Sequence, residues 1–177
     1  MKSFKWKSFK LIPVLFFFLL LAFYALIPPY SHAAGGVLKF IEAYYDGTGL
    51  DGASSVTVSG DGKHVYVAGS RDDAVAVFSR DSSSGQLTFV EMLQDGVDGV
   101  DGLNGASSVT VSGDGKHVYV AGYDDNAVSV FSRDSSSGQL TFVEVLKDGV
   151  GSVDGLYGAG SVTVSSDGKH VYVAGEY

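Results

Sequence analysis

A block of 53 residues recurs almost letter for letter along this chain, and His64, His117 and His170 mark its spacing. No other feature limits the fold as tightly. Each copy must take up the same local structure and bury its apolar faces against the next copy. Periods of roughly 40 to 50 residues, made of short strands and glycine-rich turns, predict a β-propeller with one blade per period.

The first complete period reads as four antiparallel strands. Ser54 to Ser59 (SSVTVS) alternates polar and apolar, the Gly60-Asp61-Gly62-Lys63 stretch supplies an Asp-Gly hairpin turn, and His64 to Gly69 (HVYVAG) returns as a second strand. Ala74 to Arg80 (AVAVFSR) follows a polar turn, and a DSSSGQ loop leads into Leu87 to Leu93 (LTFVEML). β-branched and aromatic residues fill both faces of these strands, as a blade packed on both sides requires. The expected class is therefore all-β, with propeller blades at 53–93 and 106–146, a half blade at 159–175 and an orphan outer strand at 38–45.

A different kind of segment precedes the repeats. Lys2, Lys5, Lys7 and Lys10 come before the almost unbroken apolar run Leu11 to Ile27, after which Pro28 and Pro29 stop any helix and Ser31-His32-Ala33 offers small residues for cleavage. This reads as a signal peptide over 1–34, so the chain is expected to be exported to the periplasm, cell surface or medium. Cysteine is absent, so neither disulfide nor thiol chemistry enters. Four of the 12 Lys and Arg residues lie in the leader and none of the 20 acids does, leaving the remainder near −12. That charge argues against nucleic-acid binding, and against membrane contact beyond the signal segment.

The stretches VTVSGDGKHVYVAG (56–69), AVAVFSRD (74–81) and LTFVE (87–91) resemble the repeats of exported YVTN-type propellers and of the seven-bladed lactonase family, which includes 6-phosphogluconolactonase-like proteins. The resemblance implies that VTVS-type strands lie nearest the central axis and LTFVE-type strands outermost. One departure is the turn, commonly Ser-Pro-Asp-Gly in such repeats, which reads Ser59-Gly60-Asp61-Gly62 here. The matching residues belong to strands and turns, and no lactonase active-site residue carries over onto a motif of this chain. About 2.7 periods follow the leader, whereas the smallest propellers have about four blades. The sequence accordingly reads as part of a larger propeller, with self-association through open blade edges expected.

Short motif matches dissolve in context. Gly47-Thr48-Gly49-Leu50-Asp51-Gly52 fits G-x-G-x-x-G but leads into a strand, so no helix N-terminus awaits a pyrophosphate. Ser166-Asp167-Gly168-Lys169 fits S-x-x-K but falls on a hairpin turn. The three histidines occupy equivalent places in successive blades, too far apart for one metal ion, and read as flanks of the Asp-Gly turns. Asp95, Asp98 and Asp101 sit in a glycine-rich loop able to gather oxygens around calcium, although the spacing matches no EF-hand loop. No other cofactor is indicated.

Where the copies differ is more informative. Residues 53–105 and 106–158 differ at nine positions, and eight of them map to one face of the disc or to the strand ends beneath it. That face also collects Asp72, Asp73, Asp124 and Asp125 with Tyr123 and Tyr157, the residues expected to bind a ligand, since variable loops on a rigid scaffold are where binding usually resides. The expected function is a binding or surface-interaction module for a protein or glycan. The alternative, implied by the resemblance, is a sugar-lactone hydrolase whose catalytic residues lie outside this segment.

Overall fold

The computed structural model describes residues 40–44 and 48–176. The signal peptide expected at 1–34 and the ends of the outer strand expected at 38–45 lie outside the described residues.

Two four-stranded antiparallel sheets and a two-stranded hairpin follow one another along the chain. Blade 1 comprises β1 (Ala53–Val58), β2 (His64–Gly69), β3 (Ala74–Arg80) and β4 (Leu87–Gln94) in that order. Blade 2 repeats it with β5 (Ala106–Val111), β6 (His117–Gly122), β7 (Ala127–Arg133) and β8 (Leu140–Lys147), and β9 (Ser161–Val164) pairs with β10 (Val171–Ala174). No helix occurs among the described residues. The chain thus builds the propeller blades that its period predicts. Residues 40–44 join no ladder, but the Glu42 carboxylate accepts the Leu87 amide. Glu91 of β4 does the same for the Leu140 amide at 2.6 Å, so 41–44 occupies against blade 1 the place that β4 occupies against blade 2.

Turn chemistry sets each register. Ser59 and Gly62 close a tight turn, the Ser59 carbonyl accepting the Gly62 amide at 2.8 Å, and Gly62 takes a φ of 72° that a side chain would resist. The Asp61 carboxylate accepts the Ser59 hydroxyl and the Lys63 amide, so the turn caps itself before β2 begins.

Strand alternation then makes two apolar faces. Val65, Ala76 and Phe78 point to the leading side of blade 1, where Tyr44 and Leu50 pack on them. Tyr66, Ala68, Val75 and Val77 point to the trailing side and join Val109, Val118, Val120, Phe131 and Leu140 of blade 2 in one core. A second core, of Ala121, Val128, Leu156, Ala159 and Val162, holds the β9–β10 hairpin on blade 2. β1 lies against β5 and β5 against β9, so first strands gather at the inner edge. Ser54 Oγ donates to Ala106 O and Ser107 Oγ to Ala159 O, each at 2.8 Å.

A polar clasp closes the lower end of the interface between blades 1 and 2. Arg133, at the end of β7, donates through Nε to the Tyr66 hydroxyl at 2.6 Å, through one terminal nitrogen to Gly115 O at 2.8 Å, and through the other to Asp61 Oδ2 at 3.1 Å and His64 Nδ1 at 2.8 Å. Four of the five guanidinium protons are thereby engaged. Because an arginine can only donate, His64 Nδ1 must accept, which fixes a neutral ring with its proton on Nε2. Burial, then the Arg133 charge, push the His64 pKa down. Gly138, at a φ of +81°, gives the ring room: a Cβ there would stand 2.3 Å from His64 Cδ2.

Two outcomes follow from the clasp. Arg133→Ala should cost about 3 kcal/mol in chemical denaturation, since it strands buried partners of a 1 % exposed side chain. Arg80→Ala, at the same place in blade 1, should cost under about 1 kcal/mol in dilute solution. The second outcome concerns pH. The folded pKa of His64 is depressed, so the unfolded chain binds its proton first, and stability should fall as pH drops below about 6.5 towards the folded value. A His64→Gln variant should flatten that acid limb in a series of thermal melts.

Candidate functional site

The turns at 70–73 and 123–126 and the connections at 95–105 and 148–158 emerge at one end of the blades, the upper face. The Asp-Gly turns and the 81–86 and 134–139 loops emerge at the lower. All nine differences between the copies serve the upper face, because the hydroxyl that Ser129 adds at the position of Ala76 donates to Asp101 O at 2.7 Å and so anchors the upper loop.

Two clusters form there. In the first, the exposed Tyr123 donates its hydroxyl to Glu176 Oε2 at 2.6 Å. The bond to Glu176, joined by that carboxylate's charge, raises the Tyr123 pKa, and Tyr157 adds to the same push. Ser70, Tyr123 and Glu176 are one repeat position in successive blades, just past the second strand of each. The backbone fixes this position: the Tyr123 amide donates to Gly105 O and the Glu176 amide to Tyr157 O. Tyr157, 62 % exposed, takes the place of Asn104. The result is a surface of two phenols and a carboxylate bridging blade 2 and the β9–β10 hairpin, with exposed Asp124 beside Tyr123.

In the second cluster, carboxylate oxygens of Asp95, Asp101 and Asp125 lie within 4.8 Å of one another. Lys147 Nζ sits among them, 2.7 Å from Asp101 Oδ1 and 3.7 Å from Asp125 Oδ1. Burial, reinforced by the charge of Asp95, raises the Asp125 pKa, and the bond to Asp101 raises that of Lys147. Of the three candidate metal ligands, Asp95 and Asp101 are brought together. Asp98 is not: it takes a φ of 52° and stands beside a shallow groove of about 380 Å³ between β4 and β8.

The remaining candidate ligand-binding acids are engaged by the backbone. Asp72 Oδ2 accepts the Asp51 amide at 2.9 Å, Asp125 Oδ2 the Asn104 amide at 3.2 Å, and Asp73 Oδ1 the Gly105 amide at 2.8 Å. Asn126 replaces Asp73 in blade 2 and accepts the Gly158 amide in the same way, so this position needs an acceptor and no charge. Glu176 and Lys147 are the site residues that sequence reasoning missed. Lys147 was visible as a difference from Gln94, but nothing in the sequence placed it between carboxylates.

The lower-face set of Asp61, His64, Tyr66 and Arg133 has the residue types of a catalytic centre without its access. His64, Tyr66 and Arg133 are buried, Arg133 is bonded to Asp61, His64 Nδ1 and Tyr66, and Asp61 is also held by its own turn. On the inner strands, β1 and β5 read ASSVTV and β9 SVTV, with no acid, base or cation among them.

The lactonase, 7-bladed beta-propeller family model matches residues 35–144, more than half of the chain. Among solved structures, the periplasmic gluconolactonase PpgL of Pseudomonas aeruginosa is 29 % identical with a TM-score of 0.56, the match covering 67 % of this chain and 31 % of that one. A candidate 6-phosphogluconolactonase of Bacteroides fragilis is 23 % identical with a TM-score of 0.56, over 68 % of this chain and 31 % of that one. Its counterpart from Bacteroides uniformis is 21 % identical with a TM-score of 0.57, over 71 % and 34 %. The chain therefore spans about a third of the length of the structures it matches. No curated protein matches it.

Lys147 gives the carboxylate cluster a cation of its own, which calcium would have to displace. Millimolar calcium should leave the melting temperature of the chain unchanged, whereas Lys147→Gln, which restores the blade 1 residue, should lower the starting stability and make melting calcium-responsive. A calcium-induced rise in the unmodified chain would show that the ammonium is no substitute for the ion.

Proposed function

We propose a function from one premise: the chain belongs to the lactonase family of seven-bladed β-propellers. Its upper face acts as a binding surface for a protein or glycan on an exported propeller. The observation that carries this reading is the Tyr123–Glu176–Tyr157 surface, which arises where the repeats depart from one another. Phenol rings give a sugar or a partner side chain an apolar plane with a polar tip, and Asp124 and Glu176 accept hydrogen bonds from hydroxyl or ammonium groups. Export is supported by the leader sequence alone. The reading requires no cofactor.

A second reading, sugar-lactone hydrolysis by the whole protein, is supported by family membership and by the 29 % identity to a periplasmic gluconolactonase. Hydrolysis needs an activated water or nucleophile beside an oxyanion-stabilising group, and the inner strands of these blades supply hydroxyls without a base. If the whole protein hydrolyses lactones, the reacting groups belong to other blades.

A glycan array and a pull-down from the exported fraction, each run with the parent chain and with Tyr123→Ala/Tyr157→Ala, test the binding reading. Binding weakened about tenfold or more in the double variant, with the melting temperature retained, is the expected result. Saturable turnover of gluconolactone by this chain, lost on changing one inner-strand residue, would reverse the order of the two readings.

A further inference from the structure

The connection at 95–105 carries an Asx-Gly pair at every third residue: Asp95-Gly96, Asp98-Gly99, Asp101-Gly102 and Asn104-Gly105. It joins two complete blades, and both contribute to its surroundings. An Asx residue before glycine is chemically labile, because the glycine amide nitrogen has no Cβ beside it and can close onto the side-chain carbonyl carbon as a succinimide. In an unfolded chain Asn104 reacts first, since a carboxylate is a poorer electrophile than an amide.

Folding reverses that order by holding three of the four pairs. The Gly105 amide donates to Asp73 Oδ1 at 2.8 Å and the Asn104 amide to Asp125 Oδ2 at 3.2 Å, while the Asn104 carbonyl accepts the Asp124 amide at 3.2 Å. A nitrogen bonded in this way, in a main chain tied on both sides, cannot turn onto the Asn104 side chain. The Gly96 amide donates to Val100 O at 2.9 Å, and the Asp95 carboxylate accepts the Leu103 amide at 3.0 Å. Asp101 Oδ1 is 2.7 Å from Lys147 Nζ, and Gly102 is enclosed so tightly that a built Cβ would stand 2.4 Å from Ser129 Oγ.

Asp98-Gly99 is the exception. The Val100 amide donates to Val97 O at 3.0 Å, which makes Asp98 and Gly99 the central residues of a tight turn, with φ of 52° and 81°. Both are exposed. Among the described residues no group accepts the Gly99 amide or donates to the Asp98 carboxylate. A Cβ built on Gly99 meets nothing within 4 Å. Blade 2 makes the same turn without the reactive pair: the Val153 amide donates to Val150 O at 3.1 Å, and Gly151-Ser152 stands in place of Asp98-Gly99.

We propose that Asp98 is a site of spontaneous isomerisation in the folded protein. The Gly99 nitrogen bonds to Cγ of the protonated Asp98 carboxyl, and the amide proton and the carboxyl hydroxyl leave together as water. Water then opens the succinimide. Attack at Cγ restores aspartate, and attack at the former main-chain carbonyl gives isoaspartate. One water leaves and one enters, no electron is transferred, and the product is an isomer. It keeps a carboxylate on the upper face and lengthens the main chain of the turn by one methylene.

Trypsin releases the loop as the fragment 81–116, since no Lys or Arg lies between Arg80 and Lys116. The test ages the chain at neutral pH, folded and in urea, after expression behind its own leader and purification as the host processes it. The fragments are compared by chromatography, mass and electron-transfer fragmentation, which tells isoaspartate from aspartate. In the folded chain a fragment of shifted elution and unchanged mass should accumulate, with isoaspartate at 98 and Asn104 intact. In urea Asn104 should change first, with the mass gain of ammonia lost and water taken up. Asp98→Gly, which supplies the blade 2 residue, should abolish the isomer at this position and keep the melting temperature. Asp73→Gly frees the Gly105 amide while suiting the φ of 51° at that position. It should raise deamidation of Asn104 in the folded chain about tenfold, whereas Asp73→Asn, which keeps an acceptor, should not. Three results would overturn the proposal: reaction at 95, 101 or 104 ahead of 98 in the folded chain, Asn104 indifferent to Asp73→Gly, or no isomer at 98 over the time the Asp-Gly pairs take to isomerise in urea.

Discussion

Among the described residues Arg133 is the one buried side chain of the Lys, Arg, Asp and Glu types, and it lies between two blades. A guanidinium removed from water is costly unless its donors are met. Here they are met from outside its own blade by Asp61, His64 and Tyr66, and from inside by Gly115. The neighbouring core follows the same logic, with Tyr66 and Val75 of blade 1 packed on Val109 and Phe131 of blade 2. Neither blade could satisfy these groups alone. The interface between blades, more than the ladder within each, is what gives this sequence a defined structure.

That dependence explains which parts of the fold were legible in the sequence. Strand placement was, because an alternating SSVTVS, an Asp-Gly turn and a returning HVYVAG are local signals, and Ser59, Asp61 and Gly62 carry out the turn they advertise. The histidines were read correctly as neighbours of that turn, since the His64 amide donates to Ser59 Oγ at 3.0 Å. Their different fates were not legible. His64 is buried under Arg133 while His170 is exposed, although their local sequences are the same. Partners some 70 residues apart leave no local trace, and only the recurrence of Asp, His, Tyr and Arg at one spacing hints that they belong together.

The candidate site shows the same division. Variation between copies pointed to the upper face, and Tyr123 with Tyr157 does form an exposed surface there. Glu176 was hidden because its meaning lies in being the third member of the series Ser70, Tyr123, Glu176. Sequence proximity grouped Asp98 with Asp95 and Asp101, but the loop turns at Asp98 and Gly99, both with positive φ. Asp125 reaches the pair from the turn after β6 instead. Charge in a loop is easily read, whereas which charges converge depends on backbone turns that glycine-rich sequence leaves open.

The two ends of the blades answer to different constraints. At the lower end every copy keeps the same Asp, His and Tyr, and both complete blades keep the arginine; where the clasp is formed, between blades 1 and 2, a single wrong residue would leave a buried donor or acceptor without a partner. At the upper end the backbone bonds that hold the loops ask only for an acceptor, which Asp73 and Asn126 supply equally well. Side chains beside those bonds are then free to vary without cost to the interface. Ser70 bonds back to Gly52 O within its own blade, while Tyr123 at the same position reaches across to Glu176 of the next. Changing one side chain at this position thus turns a local cap into a bridge between blades, and a repeat scaffold of this kind can vary its exposed surface while the interior that holds the blades together stays fixed.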